Sequence, residues 1–337
     1  MAQQKALLLA SKQGPFAVGT VPIPKPGRGE ILVRIQATAL NPVDWKIQAY
    51  GIFIDKFPAV LGTDIAGTVE ELGEGVTGFV NGDRVHVLRS VSRQEHWLIR
   101  YVPSTVSLEE ASTIPAALAT AAIGLFQHNA KSGSVGLYPP WEEGGEGKYS
   151  GKPIVVLGGS SSVGQFAIQL AKYAGFSPIV TTASLQNAEW LKEIGATHVV
   201  DRHLDSQAAF AEVSRITSAP IEVVYDAIGE PGTQNLGYDF LAPGGVLLIV
   251  LSESVDKAKL SPSKRIEHVY GVLDIPQNRA FGATLCSKLT VLLENRTIKP
   301  NRVKVLPNGL DGIIGGLEEL KEGVSNVKLV AHPQEEV

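Results

Sequence analysis

Apolar and polar residues follow two different rhythms along the chain. Up to about residue 102, short β-type runs such as EILVRIQATAL from Glu30 and DIAGTVEELG from Asp64 are separated by proline and glycine. Such spacing predicts a compact, mainly antiparallel β domain with irregular connections. From residue 153 onward, near-continuous apolar strands alternate with helices that have one apolar face. That rhythm predicts an α/β domain built on a doubly wound parallel sheet that is covered on both faces.

A helical segment and a loop connect the two regions. In SLEEASTIPAALATAAIGLFQ, Ser107 and Glu110 have the spacing of a capping box, and Pro115 should break or kink the helix that follows. Residues 131–151 are rich in glycine and proline and are predicted to form a loose surface connection. We expect three parts, residues 1–118, 119–275 and 276–337. The last part is too short to form its own core, so it should pack back on the first domain.

Charge and composition exclude several classes of protein. The 337 residues carry 30 Lys and Arg against 34 Asp and Glu, a net charge of −4, so binding to nucleic acid or to an anionic membrane is not expected. Cys286 is the single cysteine, which excludes an intrachain disulfide and a four-thiolate zinc site. The seven histidines have no metal-ligand spacing. The apolar stretches are too short for a membrane span or a signal peptide, and a cytoplasmic location is therefore expected.

The segment VVLGGSSSVGQFAIQLAKYAG places a glycine- and serine-rich loop between a buried strand and an amphipathic helix. Gly159 and Gly164 fit the first and third positions of a G-x-G-x-x-G pattern, while Ser161 takes the middle position. At such a turn, backbone N–H groups and the helix N-terminus bind a pyrophosphate. We therefore expect a dinucleotide to bind at this turn.

The end of the next strand predicts which dinucleotide binds. An NAD site usually has Asp or Glu about 20 residues after the loop, but no carboxylate appears here before Glu189. Ser184 and Asn187 offer hydroxyl and amide donors instead, and Arg202 is the nearest plausible cation for a 2′-phosphate. The sequence therefore favours NADP(H).

Several motifs in order resemble the medium-chain dehydrogenase/reductase superfamily, specifically its zinc-free quinone oxidoreductase and enoyl reductase branch. They are NPVDWK at Asn41, FPAVLGTDIAGTVEELGEGVTGF at Phe57, NGDRV at Asn81, LATAAIGLF, GGSSSVGQFAIQLAK, LKEIGATHVVD at Leu191 and VKLV near the end. The combination is most similar to fungal trans-acting enoyl reductases, which serve polyketide synthases. The resemblance implies a Rossmann domain together with a GroES-like mainly β domain, and an active site in the cleft between them.

The resemblance also implies which further residues contact NADPH. They are Pro42, Val43, Asp44, Trp45, Lys46, Thr120, the turn after Ile228, Leu251, Ser252, Val327 and Lys328, together with Ser160, Ser161, Ser162 and Val163 at the pyrophosphate. The zinc enzymes of the superfamily have a cysteine ligand near the segment occupied here by Asn41 to Asp44, and a Gly-His-Glu where this chain has Gly62-Thr63-Asp64. These are poor zinc ligands, so the expected reaction needs no metal.

The implied reaction is transfer of a hydride to the β carbon of an α,β-unsaturated thioester or ketone, followed by protonation of the α carbon. Tyr50 is the candidate acid and Lys46 the candidate electrostatic assistant, although water could also supply the proton. Residues 270–281 should shape the substrate pocket. Two alternatives remain: an NADPH:quinone oxidoreductase, which needs no proton donor for an α carbon, and a non-catalytic NADP-binding adaptor. The partners implied by the resemblance are a small or carrier-bound substrate and a polyketide synthase. The protein is expected to be a monomer or a homodimer.

Overall fold

The structure is a computed structural model that describes residues 2–89, 97–128, 133–273 and 275–335. The β-strands are β1 Gln3–Leu9, β2 Phe16–Pro22, β3 Ile31–Ala39, β4 Ala59–Val60, β5 Asp64–Leu72, β6 Arg84–Arg89, β7 Trp97–Tyr101, β8 Ile154–Leu157, β9 Ile179–Ala183, β10 His198–Asp201, β11 Val223–Asp226, β12 Val246–Ile249, β13 Arg265–His268, β14 Val303–Val305 and β15 Lys328–Ala331. The α-helices are α1 Pro42–Tyr50, α2 Leu108–Ser112, α3 Pro115–Phe126, α4 Ser162–Tyr173, α5 Ala188–Glu193, α6 Ser206–Ile216, α7 Pro231–Phe240, α8 Arg279–Glu294 and α9 Gly309–Glu322.

The chain divides into two compact units. The first comprises Met1–Ala116, Leu289–Glu294 and Pro300–Val337. It contains a sheet in the order β2-β1-β4 and a second sheet in the order β14-β15-β3-β5-β6-β7, in which β3, β5, β6 and β7 pair antiparallel. Its α9 packs Ile313 and Leu317 against Leu7, Leu40 and Leu329. The strands of this unit therefore come from both ends of the chain.

The second unit comprises Ala117–Lys288 and Asn295–Lys299. Its sheet has the order β10-β9-β8-β11-β12-β13, and every neighbouring pair is parallel. All four residues of β8, β11 and β12 are buried, as expected for central strands covered by helices on both faces. The chain leaves β8 toward β9 on one side and later continues to β11 on the other. The carboxyl end of β8 is therefore the point at which the strand order reverses, which is where such sheets bind ligands.

The predicted helix signals are confirmed at α2 and α3. The Ser107 hydroxyl accepts the Glu110 N–H at 3.1 Å, and the Glu110 carboxylate accepts the Ser107 N–H at 2.9 Å, so the capping box forms. The helix α2 ends at Ser112, and Pro115 is the first residue of α3. Proline is well suited to that position because its missing N–H would have no intrahelical partner.

The prediction of a loose connection is wrong for residues 133–151; residues 131 and 132 lie outside the described residues. Trp141 is buried, with its ring centroid 5.3 Å from Phe126 and 5.6 Å from Phe281. Tyr149 stacks on Phe176 at 5.0 Å. These aromatic contacts fix the segment against the rest of the second unit despite its loop-like composition.

Among the described residues, no helix combines the length and the apolar character that crossing a bilayer requires.

Candidate functional site

The loop after β8 brings three glycines into close contact with their neighbours. Gly158 has φ +75°, a left-handed conformation that favours glycine. A Cβ on Gly159 would collide with the Thr181 hydroxyl, and one on Gly164 would collide with the Gly158 carbonyl oxygen. The Gly158 N–H donates to the Thr182 hydroxyl at 3.1 Å, which ties the loop to β9. The backbone here is packed as the predicted pyrophosphate turn requires.

The residues predicted to bind the pyrophosphate lie together at the N-terminus of α4. The Ser161 side chain caps this twelve-residue helix by accepting the Gly164 N–H at 3.0 Å. The predicted residues Ser160, Ser161, Ser162 and Val163 are all half-buried, so they remain accessible from solvent. A helix N-terminus carries a partial positive charge. This turn therefore fits the phosphates of a dinucleotide.

Ser184 and Arg202 come together at the carboxyl ends of β9 and β10. The Arg202 Nε donates to the Ser184 hydroxyl at 2.8 Å, and the Arg202 N–H donates to the Ala183 carbonyl at 3.1 Å. Arg202 is exposed, so its guanidinium is available to an anion. Asn187, the other predicted donor, is only 7% exposed and directly precedes α5 as its N-cap residue. The hydroxyl and the guanidinium are thus better placed for a 2′-phosphate than the amide.

Asp226, which was not among the predicted site residues, organises the turn after β11. One oxygen of its carboxylate accepts the N–H groups of Ile228 and Gly229, each at 3.0 Å, and the other accepts the Thr233 hydroxyl at 2.8 Å. Burial raises the pKa of Asp226, although the Gly229 N–H and the Thr233 hydroxyl oppose this shift. An aspartate at the end of a parallel strand, followed by glycine, was the signal that could have identified it.

Three further predicted contact residues lie in the second unit. Leu251 and Ser252 follow β12, and Ser252 is exposed. Thr120 is half-buried on α3, where its carbonyl oxygen accepts the Tyr225 hydroxyl at 2.8 Å. A Cβ on Gly271 would collide with the Thr120 hydroxyl, so residue 271 packs directly on that side chain.

The NPVDWK motif forms the start of α1 in the first unit. Pro42 is exposed, and Val43 is half-buried. Trp45 packs on the apolar cluster around Leu7 and Leu40, and the Lys46 Nζ lies 5.5 Å from the centre of its ring. Burial lowers the pKa of Lys46. Tyr50 ends the helix with 61% of its surface exposed, and Val327 precedes β15 with its side chain half-buried.

Asp44 and Lys328 lie inside the first unit, each only 4% exposed. The Asp44 carboxylate accepts the Asn41 N–H at 2.8 Å. Lys328 Nζ donates to the Asn41 side-chain oxygen at 2.5 Å and lies 3.5 Å from Asp64 Oδ2. The Asn41 amide donates to the same Asp64 oxygen at 2.8 Å. Burial raises the pKa of Asp44 to about 7 and lowers the pKa of Lys328. The attraction between the lysine and the carboxylates opposes both shifts, because it favours the charged forms. We call these four residues the buried charge cluster.

Comparison with known proteins identifies the family. Residues 27–113 match the alcohol dehydrogenase GroES-like domain, and residues 162–266 match the zinc-binding dehydrogenase family. A zinc-type alcohol dehydrogenase-like protein of Schizosaccharomyces pombe is 30% identical over 97% of this chain and 99% of its own. The chain belongs to the medium-chain dehydrogenase/reductase superfamily. Trans-enoyl reductase himH of Aspergillus japonicus, a further relative, is 31% identical over 89% of both chains.

Solved structures share the fold of this superfamily member. A mycobacterial protein in complex with NADPH matches it with a TM-score of 0.75 and 21% identity, over 98% of this chain and 99% of the other. The quinone oxidoreductase of Coxiella burnetii gives a TM-score of 0.72 and 23% identity over the same shares. The predicted GroES-like and Rossmann domains are therefore confirmed. As a member of this superfamily, the protein is an oxidoreductase.

The resemblance aligns the segments 41–44 and 62–64 with those that carry metal ligands in the zinc enzymes of the superfamily, and three residues of the buried charge cluster lie in these two segments. The Asn41 amide donates to the hydroxyl of Thr63 at 3.2 Å as well as to Asp64. The Asp64 Oδ1 accepts the Ala116 N–H at 2.8 Å. Within the described ranges, no group of three or more His, Cys, Asp and Glu side chains is arranged to hold a metal ion.

Proposed function

We propose that this oxidoreductase uses NADPH to reduce an activated C=C bond of an enoyl thioester or enone, without zinc. The observation that carries the cofactor assignment is the 2.8 Å hydrogen bond between Arg202 and Ser184 at the end of β9. A hydroxyl and a guanidinium suit a phosphate, whereas an NAD site has a carboxylate that bonds the ribose hydroxyl. The reducible bond is proposed from the relatives named trans-enoyl reductases, among them himH.

The residues of the second unit fit the cofactor. There is no room for a side chain at Gly159 in the turn or at Gly164 in the first turn of α4, and the α4 N-terminus would bind the pyrophosphate. Ser184 and Arg202 would hold the 2′-phosphate. When bound, NADPH supplies the hydride, and the protein supplies binding, orientation and electrostatics.

The first unit supplies the candidate catalytic groups. A reduction that leaves negative charge on the thioester or ketone oxygen is accelerated by a nearby positive charge. Lys46 is the candidate for that charge, because it is half-buried and its lowered pKa indicates partial desolvation. Tyr50 is exposed and would share the proton-donating role with water.

Steady-state oxidation of NADPH tests the proposal with three acceptors: a crotonyl thioester, a linear enone and a naphthoquinone. We expect turnover with the thioester or the enone that persists after treatment with a metal chelator. Turnover with naphthoquinone alone would instead identify a quinone oxidoreductase. Tight binding of NADPH without turnover of any acceptor would identify a non-catalytic adaptor. Loss of activity on chelation that zinc restores would refute the zinc-independent mechanism.

A further inference from the structure

Gln234 on α7 links two loops at the carboxyl edge of the parallel sheet. Its side chain is fully buried, and its Nε2 donates to the carbonyl oxygens of Gly229 and Ser252, each at 2.9 Å. Its Oε1 accepts the Ser254 N–H at 2.7 Å. Gly229 follows β11, and residues 252 and 254 follow β12. One amide group therefore satisfies main-chain groups from both loops.

These two loops also contact each other and the pyrophosphate turn. A Cβ on Gly229, which has φ +83°, would lie 2.9 Å from the Cβ of Leu251. A Cβ on Gly158 would collide with the side chain of Ile228. The relative position of the three loops is thus closely constrained, and Gln234 supplies the hydrogen bonds that hold the two loops after β11 and β12 together.

The strand order separates these loops from the predicted 2′-phosphate site. Ser184 and Arg202 follow β9 and β10 on one side of β8, whereas Ile228 and Leu251 follow β11 and β12 on the other side. A dinucleotide binds across the carboxyl ends of such strands, with its pyrophosphate at the helix N-terminus. The loops that Gln234 links would therefore serve the half of the cofactor that lies away from the 2′-phosphate.

We infer that Gln234 is a positioning residue, which sets the main chain of the loops after β11 and β12 for the nicotinamide half of NADPH. This inference rests on the proposed function. Without the amide, the Gly229 and Ser252 carbonyls and the Ser254 N–H lose their partner. The loops would have to move apart to reach water, because buried polar groups without hydrogen bonds are costly. Binding of the nicotinamide half would weaken, while binding of the adenosine half would not.

The substitution Gln234→Met tests this, since methionine keeps the length of the side chain and removes its hydrogen bonds. Gln169→Met is the matched control. Gln169 is 3% exposed on α4, and its amide donates to the Lys299 carbonyl at 3.1 Å and accepts the Lys299 N–H at 2.7 Å. Both variants lose buried bonds to the main chain, so both should have a lower Tm. Of these two glutamines, Gln234 is the one that joins the loops after β11 and β12.

The readout is the dissociation constant of two ligands, NADPH and 2′,5′-ADP, which contains only the adenosine half with its phosphates. For Gln234→Met we expect the dissociation constant of NADPH to rise about 10-fold, which corresponds to the net contribution of one hydrogen bond. The dissociation constant of 2′,5′-ADP should not change. For Gln169→Met we expect neither constant to change. If Gln234→Met does not fold, Gln234→Asn replaces it, since the shorter side chain keeps an amide in the site but cannot span both carbonyl oxygens and the Ser254 N–H.

Two results would overturn the inference: wild-type affinity for NADPH in the Gln234 variant, or an equal loss of affinity for NADPH and 2′,5′-ADP. A wild-type protein that binds neither ligand would overturn the proposed function itself, and this inference with it. The wild-type titration therefore separates the two failures.

Discussion

Replacing Ser184 by aspartate should shift the cofactor preference from NADPH toward NADH. The new carboxylate would pair with Arg202, whose Nε now donates to the Ser184 hydroxyl at 2.8 Å, and it would repel a 2′-phosphate. A hydrogen bond to a charged group is worth about 1.5–3 kcal/mol, and exposure of the site reduces this value. We expect a loss of about 2 kcal/mol, which weakens NADPH binding about 30-fold. NADH should not lose affinity, because a carboxylate can bond the ribose 2′-hydroxyl.

Fluorescence titration of the purified protein with NADPH and with NADH measures the ratio of their dissociation constants. Arg202→Gln, which removes the charge and adds no carboxylate, should lower the preference by about 10-fold. The control is Ser150→Asp, which adds the same charge at an exposed position in the segment 133–151 of the same unit. A control that shifts the ratio as much as Ser184→Asp would show a general effect of charge.

If the ratio of the NADPH and NADH dissociation constants is the same in Ser184→Asp as in the wild type, the assignment of Ser184 and Arg202 to the 2′-phosphate is refuted. In that case the end of β9 does not distinguish a 2′-phosphate from a hydroxyl. An equal loss of both nucleotides would also refute it, because the substitution would then act on the shared part of the cofactor.

Two other substitutions test catalysis and stability. Lys46→Met should lower kcat with a thioester substrate by about 100-fold. Tyr50→Phe should lower kcat by less than about 3-fold, because water can replace the exposed tyrosine as proton donor. A larger loss of kcat for Tyr50→Phe than for Lys46→Met would identify Tyr50 as the acid. Burial, together with Arg100, lowers the pKa of His86 to about 4, so His86 should contribute a loss of about 3 kcal/mol of stability as the pH falls from 6.5 to 4, because the unfolded chain binds the proton first. The buried carboxylates with raised pKa values act in the opposite direction, so the measurement is the difference in unfolding free energy between wild type and His86→Leu in urea at each pH. A difference that does not change across this pH range would contradict the assignment.

Local signals in the sequence were sufficient to predict the helices α2 and α3, the glycine turn and the parallel sheet of the second unit. The capping box at Ser107, the break at Pro115 and the apolar strands of the parallel sheet each depend on residues close together in the chain. The same holds for the glycine turn before α4, where strand, turn and helix follow one another directly. Such features can be predicted because each is decided by neighbouring residues.

The segment 133–151 shows where local signals fail. Its glycines and prolines are typical of a surface loop, and no pattern within it predicts that Trp141 is buried. That burial depends on Phe126, just before the segment, and on Phe281, far along the chain. A tryptophan in a glycine-rich stretch is the only sign that such a contact could exist. The hydrogen bonds of Gln234 also reach beyond its local sequence, since two of them join α7 to the loop after β12.

The buried charge cluster shows a different limit, because the resemblance implies cofactor contact for two residues that the first unit buries. Asp44 and Lys328 are implied contacts of the cofactor, yet both are almost inaccessible in the first unit and bond to Asn41. Removing the lysine would leave two buried carboxylates without their cation, which is strongly destabilising. A variant at Lys328 that fails to bind NADPH is therefore ambiguous unless its Tm is also measured. Arg202 is exposed; in the hydrogen bonds described above, its Nε donates to Ser184 and its backbone N–H donates to Ala183. A variant at Arg202 does not leave a buried charge without a partner, so a loss of NADPH binding can be interpreted directly. The cofactor assignment is therefore best tested at the end of β9.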